Sequence, residues 1–184
     1  MEHNILLANG RYYDFVEPAG DALNVQVIAH ALSNICRYTG HTSRFYSVAE
    51  HSVRASVICP PEFALEVLMH DAAEAVVSDM STPFKRLVGE SYCKHERAAE
   101  GLIATRWGLR HLWDEPYKAA VRKADLTMLA TEKRDLLPPD DRVWPVLDGI
   151  EPLETHIPPE PEAGMPWLWK ERFIERFVEI CRDR

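Results

Sequence analysis

The chain is poor in cysteine, and none of what it has is grouped for chemistry. Cys36, Cys59, Cys93 and Cys181 lie far apart and form no C-x-x-C pair. That spacing fits free thiols in a reducing cytosol better than a disulfide framework or a thiolate zinc site. No apolar run approaches the ~20 residues of a membrane span. Met1-Glu2-His3-Asn4 lacks the basic patch and apolar stretch of a signal peptide, so a cytoplasmic location is expected. A basic surplus is also missing: 21 Lys and Arg face 29 Asp and Glu, a formal charge of −8. Binding of long nucleic acid draws on phosphate neutralisation by a basic face, so no nucleic-acid polymer is expected as a partner. A small anion, held by a few cations in one pocket, remains compatible. Internal repeats and a glycine-rich strand-to-helix turn are absent, and alternating β patterns are weak.

What is present is helical periodicity. With 184 residues, 46% of them apolar and 27% charged, the chain has the size and composition of one globular domain, 1–184. Val25, Ile28, Leu32 and Ile35 form one stripe, predicting a helix from near Asn24 to before Gly40. Ser47-Val48-Ala49-Glu50 reads as a capping box, with the glutamate reaching back, and opens a helix halted by Pro60-Pro61. Residues 62–79 are apolar nearly all round, which predicts a helix in the middle of a bundle. Further helices are predicted from Ser91 to Trp107, closed by Gly108, and from Pro116 to Leu137. Eight of the 13 prolines lie between Pro138 and Pro166, predicting an extended arm. A final amphipathic helix follows, with Trp169, Phe173, Ile174, Phe177, Val178 and Cys181 as its apolar face. The fold class expected is all-α, with a core over about 21–137 and the arm and last helix over 138–184.

Polar residues interrupt the apolar central helix. His70 and Asp71 are adjacent, and Glu74 lies four and three residues on, so the three can share a face. Buried carboxylates must be matched by cations, and a divalent metal is an economical match; ordinary hydrogen bonds are the alternative. His51, in line with Val48, Ala55 and Ile58, points to the core of the capped helix. Asp125, in line with Val121, Met128 and Leu129, does so in a later one. If these helices converge, His51, His70, Asp71 and Asp125 form a two-nitrogen, two-oxygen site suited to zinc, manganese, cobalt or iron.

The order of these residues resembles the HD-domain metal-dependent phosphohydrolases. Ser47-Val48-Ala49-Glu50-His51-Ser52 and His70-Asp71-Ala72-Ala73-Glu74-x4-Asp79-x2-Thr82-Pro83-x-Lys85 look like the branch of bacterial 5′-deoxynucleotidases and small phage deoxynucleoside triphosphohydrolases, dATP-specific ones included. The resemblance spans roughly residues 10 to 137, and the ordered set carries it rather than the His-Asp pair alone. It implies an HD-type helical bundle, with His51, His70, Asp71 and Asp125 as ligands of zinc, cobalt, manganese or magnesium. Glu74 becomes the acid/base that orients water or protonates the leaving oxygen. Arg37 and Lys85 become phosphate cations, with Arg44 and Arg86 as weaker candidates. Asp79, Ser81 and Thr82 fall in the sugar-contacting segment. Tyr38 stands where relatives often carry tryptophan, and the short His51–His70 interval is nearer the compact phage enzymes.

The expected activity is hydrolysis at the 5′-phosphate of a deoxynucleotide. Either a monophosphate yields nucleoside and phosphate, or a triphosphate yields nucleoside and triphosphate, with compactness tilting the expectation to the latter. An iron oxygenase on the same scaffold needs further histidine ligands that the motif lacks. A non-catalytic nucleotide-binding module has no use for Glu74. His3, His30, His41, His95, His111 and His156 receive no role. Thr131-Glu132-Lys133-Arg134 reads as a solvated face. Trp113, Trp144, Trp167 and Trp169 read as packing or oligomer contacts, and a homo-oligomer is expected.

Overall fold

The computed structural model describes residues 3–159 and 164–183. It is mostly helical, with one departure at the start. Strands β1 (Asn4–Leu6) and β2 (Tyr12–Asp14) pair antiparallel, Asn4 opposite Asp14 and Leu6 opposite Tyr12. Gly10, at φ 78, supplies the left-handed residue of the turn between them. Three-residue strands are too short to print an alternation in sequence, although Tyr13 is buried and Tyr12 exposed as a strand requires.

Helix α1 (Val25–Asn34) opens on Asn24, whose side chain accepts from the Val27 N–H at 2.9 Å. It buries Val27, Ile28 and Leu32. It stops short of the expected Gly40: Ile35 and Cys36 are extended, and Arg37–Gly40 form a 3-10 turn. Helix α2 (Val48–Ile58) starts as predicted, with Ser47 accepting from the Glu50 N–H at 3.1 Å. The other half of the expected capping box is replaced. Glu50 is wholly buried, and its carboxylate accepts from Arg44 at 2.9 and 2.7 Å and from Arg54 at 2.9 Å. Two guanidinium groups outcompete one backbone N–H.

The expected central helix over 62–79 is divided. A 3-10 turn (Pro61–Phe63) leads into α3 (Ala64–Met69), every residue of which is buried; α4 covers Glu74–Val77. Between them the chain tightens to three-residue hydrogen bonds, Ala72 N–H to Met69 O and Glu74 N–H to Asp71 O, both 3.0 Å. Such a 3-10 stretch re-aims the side chains it carries, here His70 and Asp71. Ser78, at φ 68, ends α4. The short α5 (Thr82–Val88) was not foreseen; Pro83 sits in its first turn, where the missing N–H is harmless. Helix α6 (Glu90–Trp107) ends on left-handed Gly108, as expected, and α7 runs Glu115–Leu136.

The arm lies over α7. Arg134 donates to the Leu153 and Thr155 carbonyls, and Asp135 accepts from the Ile157 N–H at 2.8 Å. Residues 160–163 of the predicted arm lie outside the described residues. Helix α8 (Pro166–Arg182) packs on α1, α2 and α3. Its buried face is Trp169, Phe173 and Ile180, with Ile174 and Phe177 half-buried; Val178 and Cys181, expected inside, are exposed. Two apolar clusters result. The larger joins α1, α3 and α8; the smaller, Tyr46, Ala55, Val67, Ala124, Met128, Leu136 and Ile157, joins α2, α3 and α7 to the arm. No helix among the described residues is long and apolar enough to cross a membrane.

Phe173 is fully buried at the centre of the α8 contact. Phe173→Ala is expected to lower the unfolding free energy by about 3–5 kcal/mol, read as a shifted urea midpoint with an unchanged slope.

Candidate metal centre

Helices α2, α3 and α7, brought together by the smaller cluster, carry the polar residues the sequence singles out. His51 is wholly buried on α2; His70 follows α3, and Asp125 lies on α7. Their ligand atoms all lie within 4.8 Å of one another, so the three form a group that could hold a metal ion. His51 Nε2 is 3.3 Å from Asp125 Oδ1, and His70 Nε2 is 4.0 Å from the same oxygen. Asp71 Oδ2 comes within 3.8 Å of His51 Nε2 and 3.2 Å of His70 Nε2.

The donor set fits a cation. His70 Nδ1 is 2.7 Å from the Val67 carbonyl, which only accepts, so Nδ1 carries the proton and Nε2 the lone pair. His51 Nδ1 is 2.6 Å from Glu132 Oε1. Both Nε2 atoms are buried and have no hydrogen-bond partner. Two imidazole nitrogens and the Asp125 carboxylate, without sulfur, suit a divalent ion of borderline or hard character; Asp71, expected as a fourth ligand, is not in the group of three and pairs with Arg37 at 3.3 Å.

Glu132 was expected on a solvated face. It is instead fully buried, and it accepts from Tyr38 Oη at 2.5 Å and Tyr46 Oη at 2.8 Å besides facing His51. The signal for it was available: it lies seven residues after Asp125, so the two share a face of α7. Thr131 is buried too, bonded to the arm through Leu153 N–H. Their long-range partners, not their polarity, decide where they sit.

Arg37 and Lys85 do not stand free. The Arg37 guanidinium is 3.3 Å from Asp71 and 3.4 Å from Glu132, largely buried between them. Lys85 is 2.5 Å from Glu96. Tyr38 and Thr39 hold the turn at φ 56 and 54, left-handed values uncommon for such residues, and Tyr38 points into the cluster towards Glu132. Asp79 is half-buried, within reach of the charges of Arg37, Asp71, His51 and Lys85. Ser81 and Thr82 are exposed, and Ser81 makes no side-chain cap to α5. Arg44 is committed to Glu50 and to the Pro158 carbonyl, and Arg86 is exposed on α5. Trp169 is buried, whereas Trp113 and Trp167 are exposed. A 610 Å³ cavity lined by Val57, Ile58, Leu153, Ile157 and Trp169 lies between α2, α7, the arm and α8, and contains none of these site residues.

The electrostatics of the cluster divide its carboxyl groups. Burial, then the charges of Asp71 and Asp79, push Glu74 well above the carboxylate range, with Arg37 and Lys85 pulling the other way. Burial also acts against the Asp125 and Glu132 charges, but His51 and Arg37 outweigh it and hold both low. For His51, burial and Arg37 disfavour protonation; Glu132 and Asp125 prevail and carry the imidazole from 6.5 up to about 9.

A raised imidazole contributes stability that is complete below its unfolded value and lost as pH rises through the folded one. Chelator-treated protein is therefore expected to lose stability between pH 6.5 and about 9, a dependence flattened in His51→Gln, by denaturant titration at stepped pH. Over the same interval divalent-metal affinity should rise, because a bound ion displaces that proton.

No family model matches the chain. It is 42% identical over 177 residues to the uncharacterized protein YfdR of Escherichia coli K12, covering 94% of this chain and 92% of that one. It is 30% identical over 174 residues to the uncharacterized protein RCAP_rcc00048 of Rhodobacter capsulatus, covering 85% of this chain and 88% of its relative. With similarity running through nearly the whole length of each, the chain belongs to one family with YfdR and RCAP_rcc00048.

Proposed function

We propose that the protein is an HD-type, metal-dependent phosphohydrolase that cleaves the 5′-phosphate from deoxynucleotides. One observation carries the reading. Two buried imidazole nitrogens that make no hydrogen bond face the carboxylate oxygens of Asp71 and Asp125, beside a third carboxyl group, Glu74, that burial pushes well up.

In this reading His51, His70, Asp71 and Asp125 hold the ion. When bound, such an ion supplies charge neutralisation at the phosphate and a more acidic water. Glu74, whose carboxyl is pushed well up by burial and by the Asp71 and Asp79 charges, donates to the departing 5′ oxygen. Its second oxygen is buried without a hydrogen-bond partner, as a group awaiting substrate would be. Arg37, ion-paired with Asp71 and Glu132, stabilises negative charge on a phosphoryl oxygen. Asp79, half-buried at the turn after α4, accepts from a sugar hydroxyl in this reading.

Charge favours the monophosphate over the triphosphate suggested by compactness. Both expected phosphate cations already have carboxylate partners: Arg37 has Asp71 and Glu132, and Lys85 has Glu96. The cluster therefore carries little spare positive charge for a long polyphosphate tail.

Incubating zinc-, cobalt- or manganese-loaded protein with each dNMP and dNTP, and separating products by chromatography, tests the proposal. Released deoxynucleoside is expected from monophosphates, abolished by chelation and by His70→Ala. Glu74→Gln should lower kcat by about 10²- to 10⁴-fold with metal binding retained. Turnover of no nucleotide under any metal would end the reading.

A further inference from the structure

Glu132 is the most heavily engaged buried carboxylate of the cluster, and it stands outside the group of His51, His70 and Asp125, bonded to Nδ1 of His51. Oε1 meets His51 Nδ1 at 2.6 Å and Tyr46 Oη at 2.8 Å; Oε2 meets Tyr38 Oη at 2.5 Å and Arg37 Nε at 3.4 Å. The residue is fully buried, so none of these contacts is shared with solvent. A structural counter-ion for Arg37 alone would not need a short bond to an imidazole. A partner for His51 alone would not need the turn that carries Arg37 and Tyr38. Glu132 does both at once.

We propose that Glu132 is the positioning residue of the site: it fixes His51 in the tautomer that presents Nε2, and ties that ligand to the Arg37–Tyr38 turn. The reasoning rests on the metal reading above and extends it. An imidazole held only by packing can rotate or exchange its tautomer. One whose Nδ1–H is bonded to a carboxylate keeps its lone pair aimed and becomes the more basic ligand. His70 obtains the same orientation from a backbone carbonyl, which no side-chain substitution removes. Glu132 is thus the point where ligand geometry depends on a side chain remote from substrate. The two tyrosine hydroxyls fill the remaining acceptor sites of the carboxylate and stop it turning away from His51. Tyr38, held at φ 56, is drawn over the cluster by that bond.

The test uses the full chain loaded with zinc, and reads binding and nuclear magnetic resonance rather than turnover. Wild type is expected to show a slowly exchanging, downfield Nδ1–H for His51. Glu132→Gln should shift that resonance upfield and weaken zinc binding by about 10- to 100-fold, while Glu132→Asp recovers part of the loss. Tyr46→Phe, which removes only a neighbour of the carboxylate, should change affinity less than Glu132→Gln. Should Glu132→Gln fold poorly, the wild-type spectrum alone decides: a His51 Nδ1 without a protected proton overturns the proposal. Zinc binding unchanged in Glu132→Gln overturns it while leaving the metal reading intact. Absence of zinc binding in wild type overturns both.

Discussion

Two imidazole rings each have Nδ1 fixed by a hydrogen bond and Nε2 turned towards carboxylate oxygens, and that constraint organises the rest of the site. The Nδ1 bonds of His51 to Glu132 and of His70 to the Val67 carbonyl keep both rings from turning. The apolar packing of α2, α3 and α7 keeps the two rings 5.4 Å apart, centroid to centroid. Neither Nε2 makes a hydrogen bond in that arrangement, which is the feature the proposed metal reading explains.

Charge around the rings follows from the same constraint. Carboxylates of Asp71, Asp125 and Glu132 crowd one small volume, and Arg37 is drawn into the interior to offset them. Arg37 and His51 hold Asp125 and Glu132 low, whereas burial first, and then the charges of Asp71 and Asp79, push Glu74 the other way. One crowded cluster so holds carboxyl groups shifted in opposite directions, the division on which the proposed phosphohydrolase reading draws. Lys85, tied to Glu96 on α6, sits at the edge of this pattern.

Features set by neighbours in sequence were legible in sequence. The Asn24-to-Leu32 stripe, the Ser47 cap, the Gly108 stop and the all-round burial of α3 depend on residues within one or two turns. His51, His70 and Asp125 stood out because each breaks an apolar face. What was illegible depends on partners far along the chain. Glu132 reads as solvated among Thr131, Lys133 and Arg134, and its burial comes from His51 and Tyr38, 81 and 94 residues away. Glu50 reads as a capping glutamate until Arg44 and Arg54 are seen to claim it. The tightened turn at His70–Ala73 has no proline or glycine to announce it. The hairpin fell below the length at which alternation becomes visible.

X-ray absorption at the zinc edge of the stoichiometrically loaded protein tests the central claim most directly. The account predicts one ion per chain, with two imidazole nitrogens and carboxylate oxygens at about 2.0–2.2 Å and no sulfur. A sulfur shell at about 2.3 Å, or a spectrum unaltered when His51, His70 and Asp125 are replaced together, would contradict it.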